Sequence, residues 1–220
     1  MKEDFISDKR RISYLSATYN RIYRGKSVLI EGDFGAGKTR FLQLLRPKKL
    51  HAVWVESLFN IHEILAAILK ELNYDTTATY RRTPQYLKMI RNLSNCFIII
   101  DEASDLDTRV WPYLKRIIDA GVPMVFAGQP NVRTYLSRNH PDILSRLKTL
   151  MLYPIVVEDF IENCKDIQQE AVEQIYMAVK GDMRKFEEIC TDCRDRAKEL
   201  GYKFVDVNLA LEFISDLPPQ

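Results

Sequence analysis

The chain has 220 residues, 46% of them hydrophobic, with 32 Lys and Arg against 30 Asp and Glu for a net charge of +2. That length buries one sizeable core with room for a small accessory domain, and the near-balanced charge means that any nucleic-acid contact must draw on basic residues gathered on one face. No apolar run reaches the roughly 20 residues that span a bilayer, and Met1-Lys2-Glu3-Asp4 carries acids without the apolar stretch of a secretory signal, so no membrane is expected and the cytoplasm is the expected location.

In chain order, Ile12, Leu15, Tyr19, Ile22 and Tyr23 recur at helical spacing among Lys and Arg, which predicts a helix over about residues 8–24. Residues 27–31 read as a buried strand, a glycine-rich loop follows, and residues 39–45 read as a helix stopped by Pro47. Residues 51–56 read as a second strand, and 61–72 and 86–93 as helices. Residues 96–101 form a continuous apolar run, suited to the middle of a parallel sheet covered on both faces. A helix at 111–120, a strand at 123–127 and a strand at 149–153 complete the series. Strands alternating with helices predict an α/β fold, a three-layer sandwich on a five-stranded parallel sheet. From Glu158 to Leu217 the periodicity is helical, with breaks near Gly181 and Gly201. The expected division is a nucleotide-binding domain over 1–155 and a small helical lid over 156–220.

The four cysteines are Cys96, Cys164, Cys190 and Cys193. Cys190 and Cys193 have CxxC spacing, but they lie inside a helical pattern with no second CxxC and no His pair at zinc spacing. They read as structural thiols, and His51, His62 and His140 as scattered structural or surface residues.

Gly32-Asp33-Phe34-Gly35-Ala36-Gly37-Lys38-Thr39 matches GxxxxGK[ST] at every fixed position, after a strand and before a helix. The glycines let the backbone wrap closely and aim its N–H groups at phosphate oxygens. The following helix turns its N-terminal dipole toward the same anion. Lys38 is the candidate for the β- and γ-phosphates and the Thr39 hydroxyl for Mg²⁺. Ile98-Ile99-Ile100-Asp101-Glu102 supplies the second half: an apolar strand delivers Asp101 to the Mg²⁺ shell, and Glu102 can take a proton from an attacking water. ATP and Mg²⁺ are the expected cofactors, with residues 32–39, Arg40 and Asp101 around the nucleotide. A hydrolase needs a base for water, whereas a kinase can use its substrate hydroxyl, so the adjacent acids favour hydrolysis.

A phosphate loop, an Asp-Glu strand end and a helical C-terminus together resemble the AAA+ ATPases over nearly the whole chain. That resemblance implies a polar sensor after the fourth strand, where Gln129 stands in place of the more usual Asn, Thr or Ser. It implies an arginine finger reaching a neighbouring subunit's ATP, for which Arg146 in Asp142-Ile143-Leu144-Ser145-Arg146-Leu147 is the candidate and Arg133 and Arg138 the alternates. It also implies a second sensor in the lid at Arg184, or Lys185, and it places the stretch with Arg21, Arg24 and Lys26 near the adenine. More loosely, Val125-Phe126-Ala127-Gly128-Gln129-Pro130, Ile143 to Leu147, Glu158-Asp159-Phe160 and the Gly181 segment are similar to transposition regulators of the TnsC, TniB and MuB type.

Those regulators bind ATP, polymerise along duplex DNA and direct a transposase. The resemblance thus implies a homo-oligomeric ring or filament on duplex DNA without sequence preference, recruiting a transposase or recombinase. Tyr80-Arg81-Arg82-Thr83, ahead of a helix carrying Lys88, is the candidate phosphate-gripping segment: Arg81, Arg82, Thr83 and Lys88. A solvated helix face is the alternative reading of those charges. A replicative-helicase loader shares the same ATPase parts, though about 25 residues before the first strand leave little for a helicase grip. A nucleotide-gated scaffold that never meets DNA is the third reading, and the modest charge suits it.

Overall fold

The computed structural model of the protein describes residues 9–45, 49–55, 60–74, 76, 83–154, 156–180 and 182–215. The chain divides into two compact units. One holds the described residues of 13–32 and 38–152, and the other those of 9–12, 33–37 and 153–215.

The larger unit carries five parallel strands in the order β2-β3-β4-β1-β5: β1 (Ser27–Glu31), β2 (His51–Val55), β3 (Cys96–Ile100), β4 (Met124–Gly128) and β5 (Leu147–Met151). Every residue of β1, β3 and β4 is buried, as strands covered on both faces must be, and this is why they read as unbroken apolar runs. Between them run α2 (Lys38–Gln43), α3 (Ile61–Glu71), α4 (Thr83–Arg91), α5 (Trp111–Asp119), α6 (Asn131–Asn139) and α7 (Pro141–Leu144). The helix α1 (Lys9–Tyr23) leads into β1. Asn60 caps α3, its side-chain oxygen accepting the Glu63 N–H at 2.9 Å, so the helix begins where its orphan donors are met. Trp111, 2% exposed, packs its ring 5.3 Å from that of Phe126 in the core.

The fold is the α/β phosphate-loop NTPase architecture that the alternation of elements predicts; α6 and α7, between the fourth and fifth strands, stand where no helix is expected, and two elements are shifted. The fifth strand begins at Leu147, not Thr149, because β5 is the sheet's edge: only Leu147 and Leu150 are fully buried and Lys148 is exposed, so no apolar run marks its start. The fourth helix begins at Thr83, three residues earlier than its apolar positions suggest.

The smaller unit contains α8 (Val157–Asn163), α9 (Gln169–Val179), α10 (Met183–Glu199) and α11 (Val207–Ser215). Phe160 and Phe186 pack with their rings tilted by 39° and centroids 4.0 Å apart at its centre, among Val172, Ile175, Cys190 and Cys193. Cys190 and Cys193 are buried thiols, and among the described residues no His, Cys, Asp and Glu cluster can hold a metal. No described helix is long and apolar enough to cross a membrane.

Candidate nucleotide site

Gly32, Lys38 and Thr39 belong with the sheet, and residues 33–37 with the helices.

On the sheet side, β1 ends at Glu31 and the chain turns at Gly32, whose N–H donates to the Gly128 carbonyl at 3.2 Å. That bond ties the start of the loop to the end of the neighbouring strand. Lys38, 7% exposed, donates from Nζ to the Gly32 carbonyl at 2.9 Å, so the ammonium lies back along its own loop. Thr39 Oγ1 donates to Asp101 Oδ2 at 2.7 Å. The two candidate metal ligands, 62 residues apart in sequence, are thus brought into direct contact. The other Asp101 oxygen accepts the Glu102 N–H at 2.9 Å, fixing the carboxylate at the strand end.

Glu102 itself sits in the left-handed region at φ 50°, ψ 44°, and is exposed. A non-glycine residue held there costs about 1–3 kcal/mol and clusters at functional positions. The kink leads straight into a 3₁₀ turn, Ala103–Asp105, whose Ser104 hydroxyl oxygen accepts the Gln129 N–H at 2.7 Å. Gly128 makes this possible, because a Cβ there would lie 2.8 Å from Val132 Cγ2 and 3.0 Å from Ser104 Oγ. One strand end, 128–129, therefore grips both the phosphate loop and the turn after the candidate base.

Glu31 is fully buried. Oε1 accepts the Arg133 N–H at 2.9 Å, and burial pushes its carboxyl above the usual carboxylate range, partly offset by that bond and by the Arg133 charge. Of the finger candidates, Arg133 and Arg138 are exposed on α6 and line a cavity of about 350 Å³ with Glu31. Arg146 lies at the other end of the sheet, before β5, where its guanidinium engages the Asp119 carboxylate and the Asp142 carbonyl.

On the helical side, Gly35 and Gly37 adopt φ of +75° and +78°, which only glycine takes without strain. A Cβ on Gly35 would fall 2.5 Å from Asp182 Oδ1, and the Gly35 carbonyl accepts the Met183 N–H at 3.2 Å. Asp182 caps α10 through the N–H groups of Arg184 (2.9 Å) and Lys185 (3.4 Å). The sensor candidates Arg184 and Lys185 thus stand in the first turn of a helix whose cap touches the loop. Arg11, 5% exposed, donates from Nη2 to the Ala36 carbonyl at 3.0 Å and the Tyr153 carbonyl at 2.8 Å. Asp33 and Phe34 are exposed, Phe34 at 74%, and Arg40 is half-buried.

Arg11 and Ser104 escape a reading by motif, since each acts through backbone groups at least 25 residues away in sequence. The stretch expected near the adenine is placed differently: the start of α1, at Arg11, meets the loop, whereas Arg21, Arg24 and Lys26 line a cavity at the opposite end of β1. Among the DNA candidates, Arg81 and Arg82 fall outside the described residues. Thr83 opens α4 half-buried, its hydroxyl 3.4 Å from His62 Nδ1, and Lys88 is exposed.

The model of a family described as an AAA domain matches residues 21–136. Among solved structures, the ORC2 protein of Aeropyrum pernix, in ADPNP-ADP complexes, is similar with a TM-score of 0.75 at 15% identity, covering 98% of this chain and 69% of that one. The ORC1 protein of the same organism, in complex with DNA, has a TM-score of 0.73 at 14% identity, covering 98% of this chain and 69% of that one. The RuvB Holliday junction branch migration motor of Thermotoga maritima has a TM-score of 0.67 at 19% identity, covering 96% of this chain and 70% of that one. At these identities the likeness is one of fold. No curated protein matches the chain.

Proposed function

We propose, from the premise that the chain belongs to the AAA domain family matched over residues 21–136, that it is a cytoplasmic, Mg²⁺-dependent ATPase that assembles on duplex DNA and recruits a transposase or recombinase. Family membership implies nucleotide binding and hydrolysis. The observation that carries the catalytic reading is the 2.7 Å contact between Thr39 Oγ1 and Asp101 Oδ2, which joins the loop to the acid-bearing strand.

An alcohol oxygen and a carboxylate oxygen are the hard donors that Mg²⁺ prefers, so Thr39 and Asp101 would hold it. When bound, the ion neutralises charge on the phosphate oxygens. Lys38 and the loop N–H groups hold the triphosphate. Glu102 takes the proton of a water whose oxygen attacks the γ-phosphorus, as the bond to the ADP oxygen breaks. Gln129 and Arg184 sense the γ-phosphate. Arg146 of a neighbouring copy, exchanging its hold on Asp119, offsets the charge that develops. Hydrolysis then weakens the joint between copies.

The DNA and transposition parts rest on the sequence resemblance to the TnsC, TniB and MuB type, with Arg81, Arg82, Thr83 and Lys88 as the proposed phosphate contacts. The similarity to an ORC1 protein in complex with DNA supports the DNA part. It equally favours a second reading, an initiator-like or helicase-loading ATPase. Electron micrographs and sedimentation with a slowly hydrolysed ATP analogue, with and without duplex DNA, separate the cases. Filaments or rings that need both nucleotide and duplex support the first reading. Assembly on single strands alone supports the loader, and a monomer under every condition at low salt contradicts both.

A further inference from the structure

At the end of the sheet opposite the phosphate loop, β1 and β5 begin around a cavity of about 630 Å³. That size lies within the range of ordinary ligand sites, about 300–1,000 Å³. Its walls come from the end of α1, the turn before β1, the end of α5 and the residues before β5, and they carry Arg21, Arg24, Lys26 and Arg146. The one carboxylate there, Asp119, is engaged by Arg146 and, at 3.8 Å, by Lys115. Arg21 is anchored: its Nε donates to the Ser27 carbonyl at 3.2 Å and its Nη2 to the Arg146 carbonyl at 3.4 Å. Arg24 and Lys26 are exposed, and among the described residues neither side chain meets a carboxylate.

The backbone is shaped to be approached. Gly25 and Gly121 take φ of +65° and +85°, a Cβ on Gly25 would lie 3.0 Å from the Gly121 carbonyl oxygen, and one on Gly121 would meet nothing within 4 Å. The other polar side chains are Asn20, Ser27, whose hydroxyl oxygen accepts the Met124 N–H at 3.0 Å, and Ser145, whose hydroxyl donates to the Asp142 carbonyl at 2.8 Å. Guanidinium and ammonium donors around an open polar bowl, with Ile118 as its one large apolar wall residue, suit phosphate oxygens and offer little that would read a base.

We propose that this cavity is a second phosphate-binding site, separate from the phosphate loop, taking phosphate groups from a nucleic-acid strand or from a free polyphosphate. Arg24 and Lys26 make the contacts, and Arg21 shapes the rim. The proposal does not depend on hydrolysis at Glu102.

The test compares the full chain with the Arg24→Glu, Lys26→Glu double variant, with the phosphate loop saturated by an ATP analogue. Duplex DNA is titrated at several salt concentrations, and inorganic tripolyphosphate is titrated separately. If a strand is the source, the variant binds duplex about tenfold more weakly at low salt and its salt slope falls by about 2. If free polyphosphate is the source, tripolyphosphate binding is lost in the variant while duplex binding stays. Basal ATP hydrolysis without DNA stays the same in both cases, which separates a lost site from a misfolded protein. Duplex and tripolyphosphate binding that are both unchanged overturn the proposal.

Discussion

At the end of the sheet where β1 and β3 finish, Lys38 lies 7% exposed against its own loop carbonyl, and an acid, a hydroxyl and two strand ends are joined by contacts of 2.7–3.2 Å. At the end where β1 and β5 begin, four cations surround an open bowl, two of them exposed and unengaged by any carboxylate among the described residues. The first arrangement is preorganised: Lys38 is buried, and the Lys38, Thr39 and Asp101 side chains are held by short contacts, so little has to reorganise when a phosphate arrives. The second is diffuse and screened, so it confers attraction that falls with salt and little geometric choice. One end is built to do chemistry on a phosphate and the other to hold one.

Substitutions at the two ends should therefore fail differently. Lys38→Ala is expected to weaken ATP binding about 100-fold, the scale of a charge-assisted contact of about 3 kcal/mol, measured by titration calorimetry. Duplex binding at low salt should survive, and unchanged ATP affinity would remove Lys38 from the site. Ser104→Ala leaves the Gln129 N–H without its acceptor and loosens the turn after Glu102. Turnover should fall about tenfold with ATP affinity held within about twofold, and Ser104→Thr should restore it. A parallel change in kcat and KM would mean that Ser104 merely supports the fold.

Arg81→Ala with Arg82→Ala is expected to lower the salt slope of duplex binding by about 2 while ATP hydrolysis without DNA is unchanged. An unchanged slope would leave the bowl at the other end of the sheet as the contact. The smallest effect concerns the helical unit. Burial pushes the Cys193 thiol up to about 11, and Cys190 is raised too, chiefly by its contact with Cys164. A folded state that holds protons more tightly than the unfolded chain is fully stabilised below the ordinary thiol value of 9.0 and loses that contribution as pH climbs toward about 11. Denaturant unfolding should weaken over that window, and Cys193→Ala should flatten the loss.

The sequence made the first end legible because its chemistry demands fixed residue types at adjacent positions: Gly32 to Thr39 in one stretch, Asp101 and Glu102 in another. The strands that carry them are buried on both faces and read as apolar runs. The second end was not legible, because its cations come from residues 21–26 and 146, and only the strand order places β5 beside β1. The edge position of β5 hid its start for the same reason: with Leu147 buried and Lys148 exposed, no apolar run marks it. Arg11 and Ser104 were missed because their partners are backbone groups, which leave no mark on residue type.

The claim that the preorganised end is a hydrolytic site is tested most directly by measuring ATP binding and phosphate release side by side in Glu102→Gln. Removing the base while leaving Thr39, Asp101 and Lys38 in place should cut phosphate release about 10²–10⁴-fold with ATP affinity held within a few-fold. Phosphate release at the unsubstituted rate would contradict the assignment of Glu102, and with it the account of this sheet end as the place where nucleotide is spent.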